Sequence, residues 1–271
     1  MRLSRRAVLT AAAGVTVASV ARAGVGPYGY EVTHLELRPG IDPAHDGVRI
    51  AQLSDIHVGM NTPEERVLSA VRELNALSPD LVFLTGDFVT YSKRPLPDVS
   101  RLLAGIRAPT FAVLGNHDHI VNATAVGAAM ASMGYALLRN QHTVQQVRGA
   151  PLVVLGVDDG CTGHADVSKT FAGAPKGGTR LVLTHNPVTA RELPAKAGLV
   201  CFSGHTHGGQ IVIPPITDAF MRAAGQPYVR GFYAVGGNQL FVNRGLGWGR
   251  KAPFLHEGSE PELSVMTLRT S

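Results

Sequence analysis

The sequence predicts a single α/β domain built on a mixed sheet system. Three observations point there. Short apolar runs alternate with helical patterns in the first half of the chain, strand-like runs succeed one another in the second half, and no linker-like stretch interrupts residues 24–271. With 271 residues, 45% of them apolar, the chain can bury a full core and is not disordered by composition.

The N-terminus stands apart from that domain. Ser4-Arg5-Arg6-Ala7-Val8-Leu9 is a twin-arginine pattern, an Ala-rich apolar stretch runs on to Val20, and Ala21-Arg22-Ala23 resembles a cleavage site. The apolar stretch falls short of the roughly 20 residues that span a bilayer, so residues 1–23 read as a signal peptide rather than an anchor. The expected location is exported, periplasmic or extracytoplasmic, with the twin-arginine export machinery as a partner. If the signal stays uncleaved, the protein is membrane-associated. Residues 1–23 carry four arginines and no acid, so the remainder holds 21 basic against 20 acidic residues, a net of +1 where the whole chain has +5. A basic field suited to nucleic acid is therefore not expected. Export permits a Cys161–Cys201 disulfide, although Cys201 lies in an apolar run typical of a buried thiol.

The strand-like runs, in order, are Val48–Leu53, Leu81–Leu84, Phe111–Leu114, Leu152–Val157, Leu181–Leu183, Leu199–Phe202, Gln210–Ile213, Gln239–Val242 and Leu263–Leu268. The clearest helix begins at Thr62, an expected N-cap with Pro63 next to it and a capping box closed by Glu65. Val67, Leu68, Val71, Leu74 and Leu77 form its apolar face. Weaker helical patterns cover Asp98–Ile106, Thr124–Met133, with Gly134 as C-cap, and Thr189–Leu193.

The residues just beyond the strands carry the chemistry. Five strands end in Asp55-Ile56-His57, Gly86-Asp87, Gly115-Asn116-His117-Asp118, His185 and Gly204-His205-Thr206-His207. Function gathers at the carboxyl ends of strands in α/β sheets, so these residues are expected in one cleft. Imidazole, carboxylate and amide oxygen suit Mn, Fe, Co, Ni or Zn, and the absence of Cys argues against a structural zinc site. Asp55 and His57, two apart on an extended segment, would point the same way and hold one ion, and His205 and His207 share that spacing. Seven donors are too many for one catalytic ion with an open position and suit two ions sharing a bridging carboxylate. Two ions roughly 3.5–4 Å apart clamp phosphoryl oxygens and generate hydroxide near neutral pH. A lone Asp or Asn could be a cap or turn residue. No role is assigned to His34, His45, His119, His142, His164 or His256.

These motifs, in this order, resemble the calcineurin-like metallophosphoesterase superfamily, and Gly204-His205-Thr206-His207-Gly208-Gly209-Gln210 is similar to its small bacterial exported or membrane-associated branch. The resemblance implies a four-layer αββα sandwich of two mixed sheets flanked by helices. It implies that Asp55, His57 and His207 bind one ion, that Asp87 bridges, and that Asn116, His185 and His205 bind the other. His117 would be the acid or charge stabiliser at the leaving group, oriented by Asp118, with a metal-bound hydroxide as nucleophile. Mn is the first expectation for both divalent ions, before Fe or Zn. Phe88-Val89-Thr90-Tyr91 after Gly86-Asp87, and Asp118 after His117, depart from the protein phosphatases of the superfamily. Arg244 in Asn243-Arg244-Gly245 could bind a substrate phosphate or be a solvated loop residue.

The expected activity is that of a phosphodiesterase or pyrophosphohydrolase acting on a small or lipid-linked phosphate ester. The rival substrates are UDP-diacylglucosamine-type pyrophosphates and phosphomonoesters. The rival from another class is a non-catalytic metal-binding surface protein, against which His117 speaks because no ligand set needs it. Residues 217–230 read by default as a packed surface loop, although they are apolar enough to cover a cleft or make peripheral contact with a membrane.

Overall fold

The computed structural model describes residues 15–23, as backbone only, and residues 29–38, 40–59, 62–247 and 259–270. In chain order the strands are β1 (Val15–Ala23), β2 (Tyr30–Leu37), β3 (Arg49–Leu53), β4 (Leu81–Thr85), β5 (Thr110–Val113), β6 (Ala136–Leu137), β7 (Gln141–Val147), β8 (Ala150–Gly156), β9 (Arg180–Leu183), β10 (Val200–Ser203), β11 (Gly231–Val235), β12 (Asn238–Val242) and β13 (Glu262–Leu268). The helices are α1 (Glu64–Ala76), α2 (Leu96–Leu103), α3 (Asn116–Ser132), α4 (Val167–Phe171) and α5 (Ile216–Ala223).

Two mixed sheets result. One runs β1-β2-β13-β3-β4-β5-β6, with β3 to β6 parallel; the other runs β11-β12-β10-β9-β8-β7, with β8, β9, β10 and β12 parallel. Strand side chains alternate between two buried layers, which is why the strands read as continuous apolar runs. Ile50, Leu81, Phe83 and Phe111 meet Leu152, Leu181, Leu183 and Phe202 between the sheets. On the other face of the first sheet, Leu53, Val82 and Leu84 pack under Val67 and Leu74 of α1, Leu102 of α2 and Met130 of α3. Ala190 and Leu193, with α4, cover the outer face of the second sheet. The layer order is helix, sheet, sheet, helix, as expected.

The differences from expectation are local. Thr62 does not cap α1: Pro63 holds the N-cap position without a side-chain bond, and the buried Thr62 hydroxyl has no hydrogen-bond partner among the described residues. Glu65 pairs with Arg72 instead of closing a box. Helix α3 begins eight residues earlier than its apolar pattern, at Asn116, because Gly115 and Asp118 form the cap. Gln210–Ile213 is no strand; a positive φ of 58° at Gln210 turns it away after a 3₁₀ turn. Thr189–Leu193 reduces to a 3₁₀ turn over Pro187–Arg191. Val15–Ala23, at the end of the expected signal, runs antiparallel to β2 at the sheet edge; the twin-arginine run Ser4–Leu9 lies outside the described residues. Cys161 and Cys201 are both free thiols. Among the described residues no helix is long and apolar enough to cross a membrane.

Candidate metal centre

The two sheets are tied together where their parallel strands end. Buried Gln52 in β3 donates from Nε2 to Thr85 Oγ1 (2.9 Å) in β4 and to the Ser203 carbonyl (3.0 Å) in β10 of the opposite sheet. Beyond the strands, Asp55 N–H donates to Gly86 O (2.9 Å), His57 N–H to Asp87 O (3.0 Å) and Gly204 N–H to His185 O (3.0 Å). Segments from both sheets thus converge on one spot, as the strand-end rule predicts.

The backbone there is not extended. Asp55 (φ 50°), His57 (φ 49°), Asp87 (φ 56°), His205 (φ 73°) and His207 (φ 50°) all occupy the left-handed region. Asp and His visit it more readily than bulkier residues, and such strain gathers at functional sites. The expected two-apart alignment on a strand therefore does not hold. Asp55, His57 and His207 do converge, with donor atoms all within 4.8 Å of one another. His57 Nε2 lies 3.1 Å from His207 Nε2, which is 3.3 Å from Asp55 Oδ1. His205 turns instead to a second group, its Nδ1 lying 3.0 Å from Asn116 Oδ1 and 3.2 Å from His185 Nε2. Asp87 stands between the two groups. Its Oδ2 is 3.7 Å from His57 Nε2 and 3.3 Å from His185 Nε2, while Oδ1 accepts the His117 N–H at 2.9 Å.

This donor set fits cations. Thr90 Oγ1 contacts His57 Nδ1 (2.9 Å), and Thr85 O accepts from His185 Nδ1 (2.8 Å), so both Nε2 atoms face inward. Burial pushes the His57 and His205 imidazoles down to about 4, which leaves them neutral with lone pairs available. His185 is also disfavoured as a cation by burial, but the Asp87 carboxylate overrides that and raises it well above the ordinary value. Conversely, burial works against an ionised Asp87, yet His185 and then His57 hold it below the usual carboxylate range. Donor atoms 3.0–3.2 Å apart around two buried carboxylates are what two ions would join once His185 gives up its proton.

The glycines make room for this. A Cβ on Gly204 would lie 1.9 Å from Ser54 Oγ and 2.2 Å from Asp55 Oδ2, and one on Gly115 would lie 2.2 Å from Asp87 Oδ1. Asp118 does not orient His117. Its carboxylate accepts from the N–H groups of Asp87 (2.8 Å), Phe88 (2.9 Å), Val89 (3.3 Å) and Gly115 (2.9 Å), holding the β4 and β5 loops together. His117 is oriented by Thr90, whose carbonyl accepts from Nδ1 at 2.8 Å, and the Tyr91 ring meets it edge-on at 5.2 Å. Arg244 is 16% exposed and pairs through Nη2 with Glu31 (2.9 Å) and through Nε with Glu262 (3.2 Å). Its charge is balanced inside the fold, so it is neither a solvated loop residue nor a cation left free for a phosphate, the two alternatives the sequence left open.

Three contacts escape the sequence. Thr90, Gln226 and Cys161 touch the centre: Thr90 on His57 and His117, Gln226 Nε2 and Cys161 Sγ on His205 Nε2 at 3.3 and 3.4 Å. Only the nearness of Thr90 to Asp87 in sequence could have signalled any of them.

The sequence profile of the calcineurin-like phosphoesterases matches residues 48–209, more than half of the chain and all of the donors above. The chain belongs to that family. It is a metal-dependent phosphoester hydrolase. The phosphoesterase is similar to the uncharacterized metallophosphoesterase YkuE of Bacillus subtilis, 31% identical over 288 residues that cover 100% of this chain and 99% of YkuE. It is 30% identical to the phosphodiesterase YaeI of Escherichia coli, over 81% of this chain and 82% of YaeI. It is 29% identical to the UDP-2,3-diacylglucosamine pyrophosphatase LpxG of Chlamydia trachomatis, over 81% of this chain and 83% of LpxG. Among solved structures it is similar to an archaeal phosphodiesterase, with TM-score 0.42 and 15% identity over 73% of this chain and 84% of that one.

Proposed function

We propose that this phosphoesterase hydrolyses phosphodiesters or pyrophosphates with two ions held in the centre, Asp55, His57 and His207 around one, Asn116, His185 and His205 around the other, and Asp87 between. The observation that carries the reading is a pair of overlapping donor groups, Asp55, His57 and His207 in one and Asp55, Asp87 and His185 in the other, with His117 beside Asp87 but outside both groups. When bound, the ions supply charge for the phosphoryl oxygens and a water that ionises near neutral pH. His117 has its Nδ1 proton held on Thr90 O and, among the described residues, no hydrogen bond at Nε2, the atom we assign to the leaving oxygen. Nitrogen and oxygen donors without sulfur are compatible with Mn, Fe or Zn, with Mn the first choice.

A diester or pyrophosphate is favoured over a monoester because a monoester dianion calls for an extra cation, and Arg244 is already neutralised by Glu31 and Glu262. The likeness to YaeI and LpxG points to the same group. We further propose export through the twin-arginine route, motivated by residues 4–9 and 21–23, with action outside the cytoplasm. Turnover of bis(p-nitrophenyl) phosphate and p-nitrophenyl phosphate by metal-loaded protein tests the assignment. Faster diester turnover is expected; a monoester preference would replace it with a phosphomonoesterase.

A further inference from the structure

Helix α5 is amphipathic, and its apolar side is not the one that packs on the protein. It is tied to the protein by polar contacts: the buried Thr217 hydroxyl donates to Ile211 O and accepts from Ile213 N–H (2.9 Å), and Asp218 pairs with Arg230 (3.0 Å), which also donates to Gly208 O (3.0 Å). Its apolar side faces outward, with Ile216 63% and Phe220 70% exposed. Scattered exposed apolar residues need no explanation, but a contiguous patch does. Four of the seven large exposed apolar side chains among the described residues, Ile211, Ile213, Ile216 and Phe220, fall within residues 211–220.

The patch walls a cleft of about 460 Å3. That volume lies in the range of about 300–1,000 Å3 typical of small-molecule sites. Its lining joins the polar His205, Thr206 and Gln210 to the apolar Ile213, Phe220 and Met221. His205 belongs to the donor set, so the cleft and the centre share a wall. Gln226, just past the end of α5, touches His205 at 3.3 Å and fixes the two relative to each other.

We propose that this cleft binds an apolar chain of the substrate, an alkyl or acyl group joined to the phosphoryl group hydrolysed at the centre. The inference rests on the phosphodiesterase reading and narrows it to amphiphilic esters. Continuity identifies the occupant: Ile213, Ile216 and Phe220 line the same cleft as His205, a member of the donor set. The concave shape suits a single chain better than the flat face of a membrane.

The test is kcat/KM for alkyl p-nitrophenyl phosphodiesters from ethyl to octyl, below micelle-forming concentrations, taken as the octyl-to-ethyl ratio within each protein. A fully buried methylene is worth about fourfold, so the native ratio should exceed about tenfold even with partial burial. In I216S/F220S, both positions being exposed and tolerant of serine, the ratio should fall severalfold. V144S, at an exposed apolar residue on β7, should keep the native ratio. A native ratio near one, or one unaltered in I216S/F220S, would overturn the proposal. A flat ratio together with phosphatidylglycerol-vesicle binding that I216S/F220S abolishes would assign the face to a membrane instead. If no diester turns over, the phosphodiesterase reading fails separately, and calorimetric binding of octyl against ethyl phosphate then decides the chain site by the same ratio.

Discussion

His57, His185 and His117 present Nε2 to the centre because a neighbour engages each Nδ1: Thr90 Oγ1, Thr85 O and Thr90 O. Thr90 thus serves two histidines at once. Removing its hydroxyl in Thr90→Val should weaken metal binding by about 10–100-fold, the usual cost of losing such an outer partner, with Thr90→Ser restoring it. Calorimetric titration with Mn checks this, and an unchanged affinity in Thr90→Val would contradict it. His117→Ala should lower kcat by about 10²-fold or more with metal content unaltered, as for loss of a proton donor to the leaving group. The protonation states make a further prediction. Because His185 is held charged by Asp87 while His57 and His205 are neutral above about 4, metal uptake near pH 7 should release the His185 proton and none from the other two. Calorimetry in buffers of different ionisation enthalpy measures that release, and uptake without it would refute the His185–Asp87 pair.

The elements were legible where burial wrote a pattern. Leu81–Thr85 and Arg180–Leu183 are buried on both faces, so their runs stand out in sequence, and every donor comes just after such a run. Strands β2 and β7 were not legible, since partly exposed polar residues such as Glu31 and Gln145 break their runs. The roles of single polar residues were hidden for another reason. Asp118 looks like a partner for the histidine before it, yet the α3 cap turns its carboxylate onto four backbone N–H groups. The left-handed turns at Asp55, His57 and Asp87 depend on contacts between strands that no local pattern encodes. The glycines mark how tightly those turns meet. Gly204→Ala should cost about 1–3 kcal/mol, the range for overpacking, because its Cβ has no space beside Ser54 and Asp55. A thermal melt of the metal-free variant measures it, and an unchanged melting temperature would show that the loop can give way.

At the scale of the whole molecule, the centre exists only when both sheets are in place: Asp55, Asp87 and Asn116 come from one, His185, His205 and His207 from the other. Gln52, donating across the gap to Ser203 O, is a buried polar tie between them. By contrast β1 is peripheral, since β2 keeps β13 as a partner without it. Protein lacking residues 1–23 is therefore expected to fold and to retain diester turnover, as the proposed export and cleavage require. Loss of folding in that truncation would make Val15–Ala23 an integral strand and count against cleavage.

Above all, the two sheets together should build a two-ion site competent for phosphodiesters. The most direct measurement is bis(p-nitrophenyl) phosphate turnover tracked against Mn bound per chain, by elemental analysis, as metal is returned to stripped protein. Turnover that rises as a second ion binds, and a D87N variant that cannot hold two, is the predicted result. Full turnover with one ion, or saturation at one ion with none of the ester hydrolysed, would contradict it.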